Sequence, residues 1–517
     1  MLVVTTNQND FETDIYSLVK AFYPAAEVKV YLGDDAGFEE VSSDPGLPDI
    51  NINFLVNRIL LMIYANEIEA YEDIDEEISE EERIRREIIN SNRASAGSNL
   101  NVAGIDINEE MSRLEVKNAL KQLLYCCLAN HTKTVLPWGA LTGIRPVKIP
   151  MNLLNLGNRQ DEIITHMQEV YFCSEEKARL ALLIALKERE ILSTVDLNNS
   201  YSLYIDIPFC PTTCLYCSFT SYPIAKYKDI VAAYLEALFK EMDFIADLLK
   251  EKRLITIYIG GGTPTTLSAE ELELLLKKIT DSFRFDHLQE FTVEAGRPDS
   301  ISREKLSVLK KYRVGRISIN PQSMNEETLR AIGRDHTVSQ VHEAFHLARE
   351  LGFTNINMDI ILGLPNETVA DVKNTMQAIA ELKPDSLTIH SLAVKRAAKL
   401  TEWVNENGLE TMKNTDETMQ AAAECATGMG MSPYYLYRQK NMAGNLENVG
   451  YATETHHGLY NILMMEDIHT IVALGAGGIT KRIRDGQAER CDNLKEVDQY
   501  INRVEEMITR KRGLLVK

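Results

Sequence analysis

Cysteine is scarce in this sequence, with 8 residues in a chain of 517. This scarcity argues against a small secreted fold held together by disulfides, because such folds need a dense set of cysteines. No apolar run approaches the length of about 20 residues that a membrane-spanning helix requires. The first ten residues also lack the basic and apolar blocks of a secretory signal. We therefore expect a protein of the reducing cytoplasm.

Basic residues are too few to balance the acidic ones. The 55 Lys and Arg residues stand against 76 Asp and Glu residues, which gives a formal net charge of −21. This balance argues against a general nucleic-acid-binding protein, whose affinity depends on neutralising phosphates with Lys and Arg. The length, with a hydrophobic content of 45%, is sufficient for two or three domains with a substantial core.

The first 195 residues are predicted to form a mixed α/β region whose second half is helical. Strands are predicted at 28–32 and 51–54, and helices at 109–129, 161–171 and 175–190. After a polar linker the pattern changes to six strand-then-helix units. The six predicted strands are 201–207, 256–259, 291–294, 316–320, 356–362 and 386–389. Such alternation predicts parallel strands joined by right-handed crossovers.

Six such units make an open, partial (β/α)6 barrel of the TIM type, because a complete barrel needs eight. The predicted fold is therefore α/β, with residues 200–395 as the core barrel. Residues 1–195 form an N-terminal accessory domain, and residues 396–517 form a C-terminal extension that we expect to cover the barrel mouth.

Three cysteines form the most informative motif of the chain. Cys210, Cys214 and Cys217 directly follow the first predicted strand of the barrel. Soft thiolates select zinc, copper(I) or iron–sulfur clusters, and structural zinc needs four ligands. A cubane cluster held by three cysteines instead leaves one iron open to another ligand. Zinc with a distant fourth ligand stays an alternative, for which the remaining candidates are Cys173, Cys425 and Cys491.

Other reactive residue types lie on the remaining strands or directly after them, in the region where parallel barrels carry their functional groups. They are the Gly-Gly-Gly-Thr run 260–263, Glu294, Gln322, Asp359 and the segment 390–393, with Arg334 in a loop. The glycines allow a ligand to approach the backbone closely and accept its N–H groups. The polar side chains offer acceptors for hydroxyls and an amine, and a donor for a carboxylate. This set suits a ligand made of an amino acid and a ribose.

Several runs together resemble the radical S-adenosylmethionine proteins of the oxygen-independent coproporphyrinogen III oxidase family. These runs are 204–217, 260–265, Gln322, 333–337 and 359–365, and the resemblance covers roughly residues 200 to 395. The runs 141–148, 447–452 and 473–478 resemble the longer HemZ-type branch of that family.

The resemblance implies that Cys210, Cys214 and Cys217 hold a 4Fe–4S cluster whose open iron binds S-adenosylmethionine, and it places Tyr204 with them among the catalytic residues. The positions implied to contact S-adenosylmethionine are Tyr204, Tyr216, Gly261, Gly262, Thr263, Glu294, Gln322, Arg334, Asp359 and Ala393. The implied activity is the oxidative decarboxylation of propionate side chains of coproporphyrinogen III to vinyl groups. The implied partners are this tetrapyrrole and a reduced electron donor such as flavodoxin or ferredoxin, with no nucleic acid and no membrane span.

A substrate with four carboxylates also needs cationic partners. The candidates expected near the barrel mouth are Lys395, Arg396, Lys399, Arg438, Lys440, Lys481, Arg482 and Arg484, with Arg145 and Lys148 from the preceding region. Each of them is alternatively a solvated surface charge.

The sequence departs from the best-known enzymatic branch at two positions. That branch has a histidine where this chain has Asp206, and an extra cysteine where it has Phe219. The haem-chaperone branch also lacks the extra cysteine, so a haem chaperone stays an alternative. A radical methyltransferase or haem-opening enzyme acting on another tetrapyrrole is a second one. Chaperone-branch chains lack an N-terminal domain of about 195 residues, which favours the dehydrogenase here.

Overall fold

The computed structural model describes residues 1–33, 49–64, 100–217, 221–393, 399–408, 412, 414–439 and 443–516. The chain divides into two compact units. The first consists of Met1–Pro146 and Asn152–Leu182, and the second of Val147–Met151 and Leu183–Lys517. Across the described ranges, no helix combines the length and the apolar character needed to span a bilayer. Phe219 and the predicted cationic residues Lys395, Arg396 and Lys440 lie outside the described residues.

The first unit is built on a five-stranded mixed sheet. Its strands are β1 (Leu2–Thr6), β2 (Val28–Leu32), β3 (Asp49–Phe54), β4 (Arg58–Tyr64) and β5 (Leu100–Asp106), in the order β2-β1-β3-β4-β5. The helices α1 (Glu12–Phe22) and α2 (Arg113–Thr132) bury apolar side chains such as Leu18 and Leu124 against the sheet. The strands predicted at 28–32 and 51–54 are confirmed, whereas β1, β4, β5 and α1 were not predicted.

Three helices follow α2 along the chain. They are α3 (Lys148–Asn155), α4 (Gln160–Tyr171) and α5 (Glu175–Ser193). The last two confirm the helices predicted at 161–171 and 175–190.

The second unit contains the predicted barrel. Its strands up to residue 391 are β6 (Ser200–Ile207), β7 (Phe209–Cys210), β8 (Tyr222–Pro223), β9 (Arg253–Gly261), β10 (Glu290–Gly296), β11 (Arg316–Ile319), β12 (Ile356–Leu362) and β13 (Ser386–Ser391). The strands β6, β9, β10, β11, β12 and β13 lie side by side in this order, and all five neighbouring pairs are parallel. All six predicted strands are therefore confirmed, as is the partial barrel of six strand–helix units.

Helices connect the barrel strands as the crossover pattern predicts. They are α6 (Ile224–Tyr227), α7 (Val231–Leu248), α8 (Ala269–Ser282), α9 (Arg303–Lys311), α10 (Glu326–Ala331), α11 (Val338–Glu350) and α12 (Val369–Leu382). In α8 the Ser268 hydroxyl accepts from the backbone N–H of Glu271, whose carboxylate accepts in return from the N–H of Ser268. A cap of this kind stabilises a helix by about 0.5–2 kcal/mol. The helix then buries Leu272, Leu276 and Ile279 at helical spacing.

The C-terminal region extends the same sheet at both ends. Its elements are α13 (Leu400–Asn407), α14 (Asp416–Gly428), β14 (Ser432–Tyr437), β15 (Asn448–Ala452), α15 (Leu459–Glu466), β16 (Ile471–Leu474), β17 (Ile479–Arg484), β18 (Gln487–Asp492), α16 (Val497–Asn502) and α17 (Val504–Leu515). Strand β15 pairs antiparallel with β13, and β16 pairs parallel with β6. The resulting sheet has eleven strands and stays open, because its order ends at β14 on one side and β18 on the other.

The barrel strands alternate between apolar and polar side chains. The apolar positions include Ile205, Ile259, Val293 and Ile360, all of which are fully or almost fully buried. The alternate positions share the other face and carry Ser202, Tyr204, Asp206, Thr256, Tyr258, Thr292, Glu294, Ser318, Asn357, Asp359, Thr388 and His390. A strand presents successive side chains to opposite faces, so this face of the barrel is polar along its length. Such a face is suited to a polar ligand.

Candidate functional site

The three cysteines lie on one loop at the carboxyl end of β6. All three are free thiols, and Cys210 and Cys214 are buried whereas Cys217 is partly exposed. The N–H of Cys217 donates to the carbonyl of Cys214 over 3.2 Å, which closes a turn between these two cysteines. The N–H of Leu215 donates to the carbonyl of Ile332 over 2.9 Å and fixes the loop to the barrel.

The glycine-rich loop after β9 packs directly against this cysteine loop. The N–H of Gly262 donates to the Ile207 carbonyl over 2.9 Å, and the N–H of Thr263 donates to the Phe209 carbonyl over 2.7 Å. The Thr263 hydroxyl lies 3.4 Å from Cys210 Sγ. A Cβ at Gly262 would lie 2.5 Å from the Phe209 oxygen and 3.0 Å from Cys210 Sγ. Only glycine fits there, because the two loops share this space.

The donor set fits an iron–sulfur cluster better than a zinc ion. In the part of the chain that the structure describes, no three Cys, His, Asp or Glu side chains converge on a position for one metal ion. Tetrahedral zinc requires convergence, whereas each cysteine of a cubane cluster bonds a different iron. Burial raises the pKa of the Cys210 thiol to about 11. A metal is therefore needed to hold this sulfur as a thiolate at neutral pH.

Two of the candidate fourth ligands have hydrogen-bond partners of their own. The Sγ of Cys173 donates to the Trp138 carbonyl over 3.3 Å, and the Sγ of Cys425 donates to the Met376 carbonyl over 3.4 Å. Cys491 lies on β18, at the far edge of the sheet from the barrel strands. These positions do not favour the zinc alternative.

A buried arginine lies beside Cys214 and Tyr216. Arg334 donates through Nε and one terminal nitrogen to the Tyr216 hydroxyl, over 3.2 Å and 3.0 Å, and through the other to the Asn320 carbonyl over 2.6 Å. Burial opposes its charge, but Tyr216 and Cys214 favour it, and the net effect raises the pKa of Arg334 further. The guanidinium is thus a permanent cation fixed next to the cysteine loop.

Two half-buried acids line the polar face where β6, β9 and β10 end. The Tyr204 hydroxyl donates to Asp206 Oδ2 over 3.2 Å, and the Tyr258 hydroxyl donates to Glu294 Oε1. Burial raises the pKa of Asp206 to about 8 and that of Glu294 to about 7. Both carboxyls therefore titrate near neutrality. Gly261, at a φ of +106°, leaves room for Asp206, because a Cβ there would lie 2.6 Å from its Oδ1.

The third acid, Asp359, lies on β12. Burial acts to raise its pKa, but hydrogen bonds from His390, Asn357 and Thr388 outweigh burial, so the pKa of Asp359 is lowered. Asn357 donates to Asp359 Oδ1 over 2.7 Å, and His390 Nε2 lies 3.7 Å from Oδ2. Asp359 is therefore an ionised acceptor at neutral pH.

Two buried amide oxygens near this acid have no hydrogen-bond partner among the described residues. They are Oε1 of Gln322 and Oδ1 of Asn320. Gln322 has a φ of +68° and is held between the Asp359 carbonyl, at 3.0 Å, and the Ile361 N–H, at 2.9 Å. Leaving a buried acceptor unpaired costs about 1–3 kcal/mol, so these oxygens need donors such as ligand hydroxyls or an amine.

The structure thus brings most of the predicted site residues together at one end of the barrel, including Ala393, which is buried just after β13. The predicted cationic residues do not all lie free at the barrel mouth. Lys481 donates to the Met464 carbonyl over 2.9 Å and pairs with Asp467, and Arg438 donates to the Asn445 carbonyl over 2.9 Å. These two side chains stabilise the C-terminal region instead of facing open solvent.

Some residues of the site were not predicted from the sequence. Tyr258 and Tyr460 stack with their ring centroids 4.6 Å apart, and Tyr204 lies 6.1 Å from Tyr258. Arg297 follows Glu294 by three residues and contacts the cysteine loop. Two sequence signals could have identified Arg297 and Tyr258 as site residues. Arg297 directly follows a barrel strand, and Tyr258 precedes Gly260 by two residues. No sequence signal indicated Tyr460, because α15 is far from β9 along the chain.

The model of the radical SAM superfamily matches residues 204–379. This stretch is therefore a radical SAM domain, and the protein uses a 4Fe–4S cluster and S-adenosylmethionine, as predicted.

A relative from Bacillus subtilis (strain 168), the oxygen-independent coproporphyrinogen-III oxidase-like protein HemZ, is 41% identical over 408 residues. This alignment covers 77% of the chain and 81% of the relative. The chain belongs to the HemZ family of oxygen-independent coproporphyrinogen III oxidase-like proteins, which confirms the predicted family.

Other relatives match a smaller share of the chain. The haem chaperone HemW of Lactococcus lactis is 39% identical over 194 residues, 38% of this chain and 49% of the relative. The oxygen-independent coproporphyrinogen III oxidase of Escherichia coli K12 is 32% identical over 192 residues, 37% of this chain and 42% of the relative. The solved structure of the E. coli oxidase HemN covers 62% of this chain and 73% of its own, with 23% identity and a TM-score of 0.48. At that similarity no residue role is transferred from it.

Proposed function

We propose that the protein is an oxygen-independent coproporphyrinogen III dehydrogenase of haem biosynthesis, with protoporphyrinogen IX as its product. For each propionate side chain that reacts, a hydrogen atom leaves the methylene next to the ring, CO₂ leaves with the carboxylate carbon, and one electron passes to an acceptor. A vinyl group remains. The names of the HemZ relative and of the E. coli oxidase support this choice of substrate.

The observation that carries the proposal is the polar cradle beside the three thiols. It combines the half-buried acids Glu294 and Asp359 with the buried, unpaired oxygens of Gln322 and Asn320, all at one end of the barrel. When bound and reduced, the cluster and S-adenosylmethionine supply the 5′-deoxyadenosyl radical that takes the hydrogen atom. Such a radical must form away from water and close to its target, which a buried site provides.

Each group of the cradle has a proposed task. Cys210, Cys214 and Cys217 hold the cluster and leave one iron open. Asp359, Glu294 and the two unpaired amide oxygens accept hydrogen bonds from the amine and the ribose hydroxyls of S-adenosylmethionine. Arg334 offers its permanent positive charge to the carboxylate. The remaining contacts are proposed for Tyr204, Tyr216, Gly261, Gly262, Thr263 and Ala393.

The proposal also includes an electron donor and a cellular compartment. A reduced protein such as flavodoxin or ferredoxin supplies the electron that the cluster needs. The protein acts in the cytoplasm, because free thiols and an oxygen-sensitive cluster persist in a reducing compartment.

The test is an anaerobic incubation of reconstituted protein with S-adenosylmethionine, a reductant and coproporphyrinogen III, followed by analysis of the oxidised porphyrins. We expect vinyl-bearing porphyrin together with 5′-deoxyadenosine. The Cys214→Ala variant should form neither product, whereas Cys425→Ala, a matched cysteine on α14, should form both. Formation of 5′-deoxyadenosine without a change in the porphyrin would contradict this activity and would favour a methyltransferase or a haem-opening enzyme.

A haem chaperone is the second candidate, since the HemW relative from Lactococcus lactis is 39% identical over 194 residues. That match covers 38% of the chain, whereas the HemZ match covers 77%. A chaperone would retain haem tightly and form no vinyl product. Haem retention through gel filtration, without consumption of coproporphyrinogen III, would favour it over the dehydrogenase.

A further inference from the structure

Arg297 contacts the cysteine loop from the end of the third barrel strand. Its Nη1 atom donates to the Thr212 hydroxyl over 2.6 Å and lies 3.9 Å from the Sγ of Cys214. The side chain is 3% exposed. A guanidinium this well buried next to a sulfur is a strong electrostatic influence, because little water screens it.

The backbone of β10 directs Arg297 toward this sulfur. The pairing between β10 and β11 shifts register between Glu294 and Gly296, which is a β-bulge. Gly296 has a φ of +60°, a conformation that side chains other than that of glycine rarely adopt. The N–H of Asn320 donates to the Gly296 carbonyl over 2.7 Å and fixes the bulge. Bulges re-aim side chains next to active sites, and here the re-aimed residue is Arg297.

A carboxylate holds the guanidinium in this position. Asp299 accepts from Nε over 3.0 Å and from Nη2 over 2.6 Å, which is a bidentate pair. Bidentate pairs fix the orientation of a guanidinium as well as its charge. Two of the five N–H groups are thus used by Asp299, and Nη1 is left to serve Thr212 and Cys214.

We propose that Arg297 is a positioning residue that sets the reduction potential of the 4Fe–4S cluster through a charge-assisted hydrogen bond to the sulfur of Cys214. This inference rests on the proposed role of Cys214 as a cluster ligand. Reduction adds one electron, and part of its charge falls on the ligand sulfurs. An N–H donor and a positive charge at the sulfur stabilise the reduced state and raise the potential. Asp299 acts in the opposite direction, because its negative charge partly cancels that of Arg297.

Two variants of the full-length holoenzyme should therefore shift the potential in opposite directions. In Arg297→Met with Asp299→Asn, the donor is lost and no unpaired charge stays buried. At a fixed potential the ratio of reduced to oxidised cluster should fall about tenfold, equivalent to about 59 mV for one electron. In Asp299→Asn alone the arginine stays without its counter-charge, so this ratio should rise. Arg316→Lys is the matched control, since Arg316 is 3% exposed and binds Asn355 and His456.

The measurement is an anaerobic redox titration of the cluster followed by EPR, on preparations with equal iron and sulfide content. Opposite shifts in the two variants, with an unshifted control, support the inference. A double variant whose ratio stays within about twofold of the wild type, or shifts of one sign in both variants, would overturn it. Failure of the proposed function is distinguishable from failure of this inference. The proposed function fails if Cys214→Ala retains the full cluster, whereas an intact but unshifted cluster in the Arg297 variant refutes the role of Arg297 alone.

Discussion

Adding one methyl group at Gly262 tests the contact between the glycine-rich loop and the cysteine loop. Replacing Gly262 by Ala places a Cβ 2.5 Å from the Phe209 carbonyl oxygen and 3.0 Å from Cys210 Sγ. Both distances are too short, and one of the atoms is backbone, so the two loops must separate by about 1 Å. Overpacking of this kind costs about 1–3 kcal/mol of stability.

The functional effect should be larger than the loss of stability. A misplacement of about 1 Å at a reacting centre lowers rates about 100-fold, so we expect cleavage of S-adenosylmethionine to slow by about that factor. The assay is anaerobic formation of 5′-deoxyadenosine, with iron content and Tm measured on the same preparation. Gly428→Ala is the matched control, because a Cβ there meets no atom within 4 Å. A Gly262→Ala rate within about twofold of this control would refute the loop contact as the determinant of cluster geometry.

Three further predictions concern charge and ligation. Lys511→Met removes the partner of Glu241 from a fully buried ion pair. Denaturant titration should therefore show a loss of about 3–5 kcal/mol in the free energy of unfolding. A loss below about 1 kcal/mol would contradict the pairing. Because burial raises the pKa of Glu294 to about 7, its carboxylate ionises as the pH rises through that value, and affinity for S-adenosylmethionine should increase there in equilibrium dialysis. Glu294→Gln should abolish this increase, and an unchanged pH profile would contradict the role. Cys214→Ala should lose the iron-dependent absorbance, and unchanged iron content would exclude Cys214 as a ligand.

The ionisation of Glu294 has a further consequence for stability. Its pKa is raised in the folded protein from 4.5 to about 7, so its contribution to stability is fully present below 4.5 and is lost as the pH rises from there to about 7. Binding and stability therefore depend on pH in opposite directions at this residue.

The barrel strands were predictable because each one alternates with a helix and is bounded by turn or capping residues. The carboxyl-end rule of parallel barrels then located Cys210, Glu294, Gln322 and Asp359 without any structure. In the first unit, β4 (Arg58–Tyr64) is a continuous apolar run, whose periodicity alone does not distinguish a strand from a helix.

Long-range packing accounts for what was missed. Strand β16 has four residues and pairs with β6, from which it is separated by more than half of the second unit. Arg297 reaches Cys214 only because a bulge at Gly296 turns the chain. Tyr460 stacks on Tyr258 through a helix that follows the barrel. Register, bulges and ring packing depend on contacts between distant segments, and a local sequence pattern does not encode them.

The surroundings of the carboxyl end of β6 show that such long-range contacts reach the C-terminal helices. The Glu241 carboxylate binds Lys511 over 2.6 Å, the Tyr500 hydroxyl over 2.7 Å and the Gly475 N–H over 2.9 Å. Tyr234, on the same helix as Glu241, donates to the Asp206 carbonyl over 2.7 Å. The C-terminal segments therefore support the strand end that precedes the cysteine loop.

The central claim is that three cysteines hold a 4Fe–4S cluster with one iron open to S-adenosylmethionine. The most direct measurement is the metal and inorganic sulfide content of anaerobically purified protein, combined with the EPR spectrum of the reduced form before and after addition of S-adenosylmethionine. We predict iron and sulfide in the equal amounts that this cluster requires, and a spectrum that changes when S-adenosylmethionine binds. Zinc without inorganic sulfide, or a spectrum unaffected by saturating S-adenosylmethionine, would contradict the claim.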